Sequence, residues 1–184
     1  MSRLRPVIYV VLFALTTLAL VGPGDGAQVS SNIAGVNLSA ILGDSISVSA
    51  SPGLVNFALV SNGVATGSTT ITVNSGWVLG HPATISSYAY FSNSTAALTD
   101  GAGHNIPSSS VSGKVDGGGF QTFTGACPFS ANTCVQIWTK HVPSAGIKLT
   151  GSRSDTLQLQ ISTVGLSLQA GTYTGVLHIQ AQAL

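Results

Sequence analysis

The stretch DTLQLQIST, residues 155–163, sets Leu157, Leu159 and Ile161 on one side of an extended chain and Gln158 and Gln160 on the other. Successive side chains of a strand point to opposite faces, so a two-residue period predicts a strand with one face in a core and one in water. The closing stretch repeats it: Leu177, Ile179 and Ala181 face one way, His178, Gln180 and Gln182 the other. Earlier in the chain, Ile46, Val48 and Ala50 alternate with serines, and Val55, Phe57 and Leu59 alternate through LVNFALV. Ile71 and Val73 share a side, with Gly76 as an expected bulge before Trp77 and Leu79. Ile85, Ala89 and Phe91 oppose Tyr88 and Tyr90. Shorter strands are expected at 111–115, at 120–124, and in VQIWTK and IKLTG, with turns at SPG, SNG, DGGG and AGTYTG. No long stretch repeats apolar residues every three or four positions, and Glu is absent. The pattern predicts an all-β, antiparallel, immunoglobulin-like β-sandwich of about 8–10 strands.

Ahead of the strands, Arg3 and Arg5 precede an apolar run from Val7 to Val21, which Gly22, Pro23, Gly24 and Gly26 close. This is the layout of an export signal, and the run falls short of the roughly 20 residues that span a bilayer. The expected organisation is a signal peptide at 1–27, an N-terminal arm or first strand at 28–44, and one sandwich domain at 45–184. The expected location is secreted, extracellular or at the cell surface, with no membrane association after cleavage.

Beyond the signal, Lys114, Lys140, Lys148 and Arg153 balance Asp44, Asp100, Asp116 and Asp155. Four scattered cations cannot displace counterions along a nucleic acid, so that partner is excluded. A surface made soluble by hydroxyls and amides offers little repulsion between copies and tolerates self-association.

Cys127 and Cys134 lie close together in GACPFSANTC, and export predicts a disulfide between them. The short loop would add about 3 kcal/mol or less. Catalytic parts are scarce. GDSIS at 43–47 resembles the nucleophile motif of the GDSL hydrolases, but their late Asp-x-x-His pair is missing, since Asp155 is followed by Thr156, Leu157 and Gln158. Asp100, Asp116, His104 and Asn105 fall in loop-like text, where a small calcium or substrate site competes with plain solvated turns. His81, His141 and His178 share no metal-ligand spacing. No enzyme, cofactor or metal is expected.

Two features suggest binding instead. Trp77, Tyr88, Tyr90 and Trp138 could form an aromatic face that stacks on sugar, the alternative being that the tryptophans fill the core. Val36, Leu38, Ala40 and Leu42 share one parity and could act as a detachable assembly arm, or as an ordinary edge strand or a short helix.

The order of an export signal, an alternating arm, SPGLVNFALVSNG (51–63), TTITVNSGWVL (69–79) and LQAGTYTGVLHIQAQ (168–182) resembles the bacterial fimbrial and spore coat U-like secreted domains. The resemblance implies an immunoglobulin-like sandwich and assembly by strand donation, in which the arm of one subunit completes the groove of the next. Those families often place their cysteines near the first strands, whereas here the pair lies in the second half. The resulting expectation is a structural or adhesive surface subunit that associates with itself or another surface protein. The alternative is a monomeric module binding carbohydrate or cell wall.

Overall fold

The computed structural model describes residues 37–40, 43–129, 133–143 and 149–184. The chain divides into two units, Met1–Ala40 and Ile41–Leu184. In the first, 37–40 carry no secondary structure and are exposed. The expected signal at 1–27 lies outside the described residues.

The second unit is an antiparallel β-sandwich. One sheet runs in the order β1 (Ser45–Ser51), β3 (Ile71–Val78), β11 (Thr150–Ser162), β7 (Val111–Val115), β8 (Phe120–Thr122), and β2 (Val64–Thr66) also pairs with β11. The other runs β12 (Leu177–Ala183), β4 (Ala83–Phe91), β10 (Thr133–Val142), β9 (Gly125–Ala126). A small hairpin joins β5 (Leu98–Thr99) to β6 (Asn105–Ile106). Five of these twelve described strands are only two or three residues long, which accounts for the excess over the expected number.

The alternation decides which side chains enter the core. Along β11, Asp155, Leu157, Leu159 and Ile161 are buried, with Gln158 and Gln160 between them on the outward side. Ile85, Ala89 and Phe91 of β4 face them from the opposite sheet, and Phe91 packs on the fully buried Phe123 at 5.1 Å between ring centroids. Trp77 and Trp138 meet between the sheets at 5.7 Å.

Two local details correct the sequence reading. Gly76 makes no bulge, because β3 keeps unbroken register with both neighbours and places Val73, Ser75 and Trp77 on one inward row. Its lack of a side chain instead leaves room for Ser47, whose hydroxyl donates to the Gly76 carbonyl. The register shift falls in β10 between Gln136 and Trp138. An extra residue there brings both Ile137 and Trp138 inside.

The stretch LVNFALV is not a ladder strand. It continues the lane of β1 in extended form, with Val55, Phe57 and Leu59 half-buried and their neighbours exposed, and it lies in no sheet.

Candidate functional site

Beside this stretch the sandwich is open. A groove of about 640 Å³ runs between residues 50–59 on one bank and residues 171–179 on the other. Its floor is the core itself, reaching Ile71, Phe91, Val111, Leu159 and Ile161. Among the described residues no Asp, Lys, Arg or His lines it.

Both banks have backbone to offer. β12 pairs with β4 along one edge only, and no described strand pairs with the other. β1 and β12 approach each other as edges of different sheets without forming a ladder. On the opposite bank, Asn56 exchanges hydrogen bonds with Ser68, while the peptide groups of Val55, Phe57 and Leu59 have no backbone partner among the described residues. Leu166 and Leu168 are half-buried against the core and also lie outside any sheet. Both stretches thus leave backbone groups outside the ladders, as a sheet edge does. The period is legible in LVNFALV, but whether a stretch finds a ladder is a tertiary fact that no local pattern carries.

The wall at 171–176 is anchored. Thr174 and Thr99 exchange both backbone hydrogen bonds at 2.9 Å. A side chain at Gly175 would collide with the Ala97 carbonyl, so only glycine lets the two segments pass. Asp100, next along, accepts from the Ala102 and His104 backbone N–H groups and lies 2.6 Å from His104 Nδ1. Burial pushes its carboxyl up, but the Ala102 and His104 hydrogen bonds outweigh this and hold it below the ordinary carboxylate value.

Asp116 serves a different end, taking the backbone N–H and hydroxyl of Thr156 and facing Arg153. The Thr156 backbone bond chiefly lowers its carboxyl, against burial, with further help from Asp155, the Thr156 hydroxyl and Arg153. Asp100 and Asp116 thus cap separate turns. Among the described residues no group of three or more His, Cys or Asp side chains could hold a metal. Ser45 opens β1, and the neighbouring Asp44 is engaged by the Gly80 N–H and by His81 at 3.0 Å.

Of the expected arm, Leu38 is 93 % exposed and Ala40 is also exposed, neither in a helix, while Val36 and Leu42 lie outside the described residues. Leu177 and Ile179 of the terminal strand line the groove, and Ala181 continues their side of β12. The expected ligand face divides. Trp77 and Trp138 are buried core residues, drawn inward by the rows of β3 and β10, and so they leave that face. Tyr88 and Tyr90 remain on the outward side, joined by Phe129, which the sequence reading passed over because it follows Pro128 in a loop. Cys127 and Cys134 are free thiols, each within reach of the other. Burial, then the hydrogen bond and charge of Cys127, push the Cys134 thiol up to about 12.

No helix among the described residues is long and apolar enough to cross a membrane. Comparison with family models, curated proteins and solved structures finds no match to this chain.

Proposed function

We propose that the protein is an exported structural or adhesive subunit of a cell surface, and that it assembles when the arm at 28–42 of one copy lies in the groove of the next. One observation carries this reading: a groove with an apolar floor and no charged side chain among its described lining residues opens onto the core, between the unpaired edge of β12 and a stretch that lies in no sheet. An added strand would cover the apolar floor and hydrogen-bond to the banks, removing both costs at once. The arm has the required form, since Val36, Leu38, Ala40 and Leu42 fall on one parity and no charge lies between Gln28 and Leu42. Each apolar side chain it buries would contribute about 1.5–3 kcal/mol before ordering costs. The fimbrial and spore coat U-like resemblance supports the same reading. On export, Cys127 and Cys134 would close a disulfide that pins the loop between β9 and β10.

The test is deletion of residues 28–42 with size-exclusion chromatography and light scattering. We expect the intact protein to form oligomers and the deleted form to be a folded monomer. A peptide of residues 32–42 should then bind the deleted form and raise its melting temperature, and the same peptide with Leu38 and Leu42 changed to Asp should not. Oligomers that survive the deletion, or a peptide without effect, would refute strand donation.

A further inference from the structure

We propose a second site, independent of the groove: the outward face of the β12-β4-β10 sheet binds a neutral saccharide, stacked on Tyr88, Tyr90 and Phe129 and held by the amides of Gln136 and Gln180.

The strand register assembles this face. Tyr88 stands opposite Gln180 on one side and Gln136 on the other, and Tyr90 stands beside His178 and Cys134 in the next row. The Tyr90 ring stacks on His178 at 5.3 Å, and Phe129 sits 6.1 Å from Tyr90 and 5.8 Å from Tyr88. None of these rings is needed inside, where Trp77, Trp138, Phe91 and Phe123 supply the large side chains.

Two hydrogen bonds orient the amides. The Tyr90 hydroxyl donates to Gln180 Oε1 at 3.0 Å, which leaves the Gln180 NH2 group to donate outward. Gln136 Nε2 donates to the Tyr88 oxygen at 3.3 Å, which leaves the Gln136 carbonyl to accept. A shallow pocket opens alongside between Tyr88, Gln136, Phe120, Gln121, Thr122 and Thr124. The outward positions of the three strands carry no Asp, Lys or Arg.

Aromatic planes flanked by a fixed donor and a fixed acceptor match one chemistry closely. A pyranose presents an apolar face of C–H groups and a rim of hydroxyls that both donate and accept, without charge. An anionic ligand would find no Lys or Arg beside these rings, since Lys140 of β10 lies over the Trp77 ring instead, and an apolar one would leave the Gln180 NH2 group and the Gln136 carbonyl without partners.

The experiment is an amide NMR titration of the purified protein with cellohexaose, maltohexaose and chitohexaose in turn. At least one should shift the signals of Tyr88, Tyr90, Gln136 and Gln180. Tyr90→Ala should weaken that binding about tenfold, the size of one lost ring contact, while Tyr90→Phe, which keeps the ring, should change it by only about twofold. Gln136→Leu, at an exposed position, supplies the same test should Tyr90→Ala fail to fold, and should also weaken binding. No shift at these residues with any of the three sugars at millimolar concentration would overturn the proposal. So would undiminished binding in Tyr90→Ala or Gln136→Leu. Deleting 28–42 should leave saccharide binding intact, so this site and the groove stand or fall separately.

Discussion

Arg153 and Asp155, two residues apart on the inward side of β11, form an ion pair in which guanidinium Nε lies 2.6 Å and Nη2 2.5 Å from the same carboxylate oxygen. The Asp155 side chain is fully buried, and the Arg153 guanidinium also lies 5.6 Å from the Trp138 ring centre. The hydrogen bond to Asp155 is the main cause raising the pKa of Arg153 above its ordinary value. Removing Arg153 leaves the buried Asp155 carboxylate beside the Asp116 carboxyl without its cation. Arg153→Ala should therefore cost on the order of 3 kcal/mol in urea denaturation. Adding Asp155→Leu should recover part of that loss, and a double variant weaker than the single one would contradict this account.

Trp77 lies against Gly151, its partner across the β3–β11 ladder, so closely that a β-carbon at 151 would collide with the indole. Gly151→Ala must displace the Trp77 ring, which packs on Trp138. We expect a loss of about 1–3 kcal/mol and a changed near-ultraviolet dichroism signal from the tryptophan pair.

Phe123 is fully buried and packs on Phe91 from the loop after β8. Truncation there leaves a cavity that the two sheets cannot close. Phe123→Ala should cost about 3–5 kcal/mol by thermal or urea unfolding.

Asp100 and Asp116 are both held below the ordinary carboxylate value of 3.8. In acid the unfolded chain takes up protons at these positions before the folded one does. Their contribution is therefore complete above pH 3.8 and is lost as the pH falls through the lower folded values. The melting temperature should be flat from neutrality to about pH 5 and fall steeply below pH 4, and Asp116→Asn should soften that fall. Asn suits the site, because the backbone there has a φ of 47°.

Cys134 is buried and its thiol is pushed up to about 12, whereas Cys127 is half-buried. In reduced protein at pH 8, iodoacetamide should label Cys127 at least about tenfold faster than Cys134. In oxidised protein neither should react, and the mass should be lower by the two thiol hydrogens.

The sandwich was legible because its strands obey a strict two-residue period: Leu157, Leu159 and Ile161 could face only one way. Gly76 misled, because a glycine within a strand marks either a bulge or a close approach, and only the neighbouring Ser47 decides between them. Trp77 and Trp138 suit a core better than a ligand face in the sequence, but an aromatic side chain serves both, and the row of Trp138 depends on a register shift in β10. Of the groove, the alternation of Leu177 and Ile179 is visible in the sequence. The bank at 54–60 has the same period as an ordinary strand, because the lack of a ladder leaves no trace in the stretch itself.

The uncharged lining of the groove decides which external variables can govern its filling. With no ionic term at the contact, raising the electrolyte concentration to molar levels should not dissolve what forms there. The response should come instead through temperature, as a large negative heat capacity of association that weakens the joint in the cold.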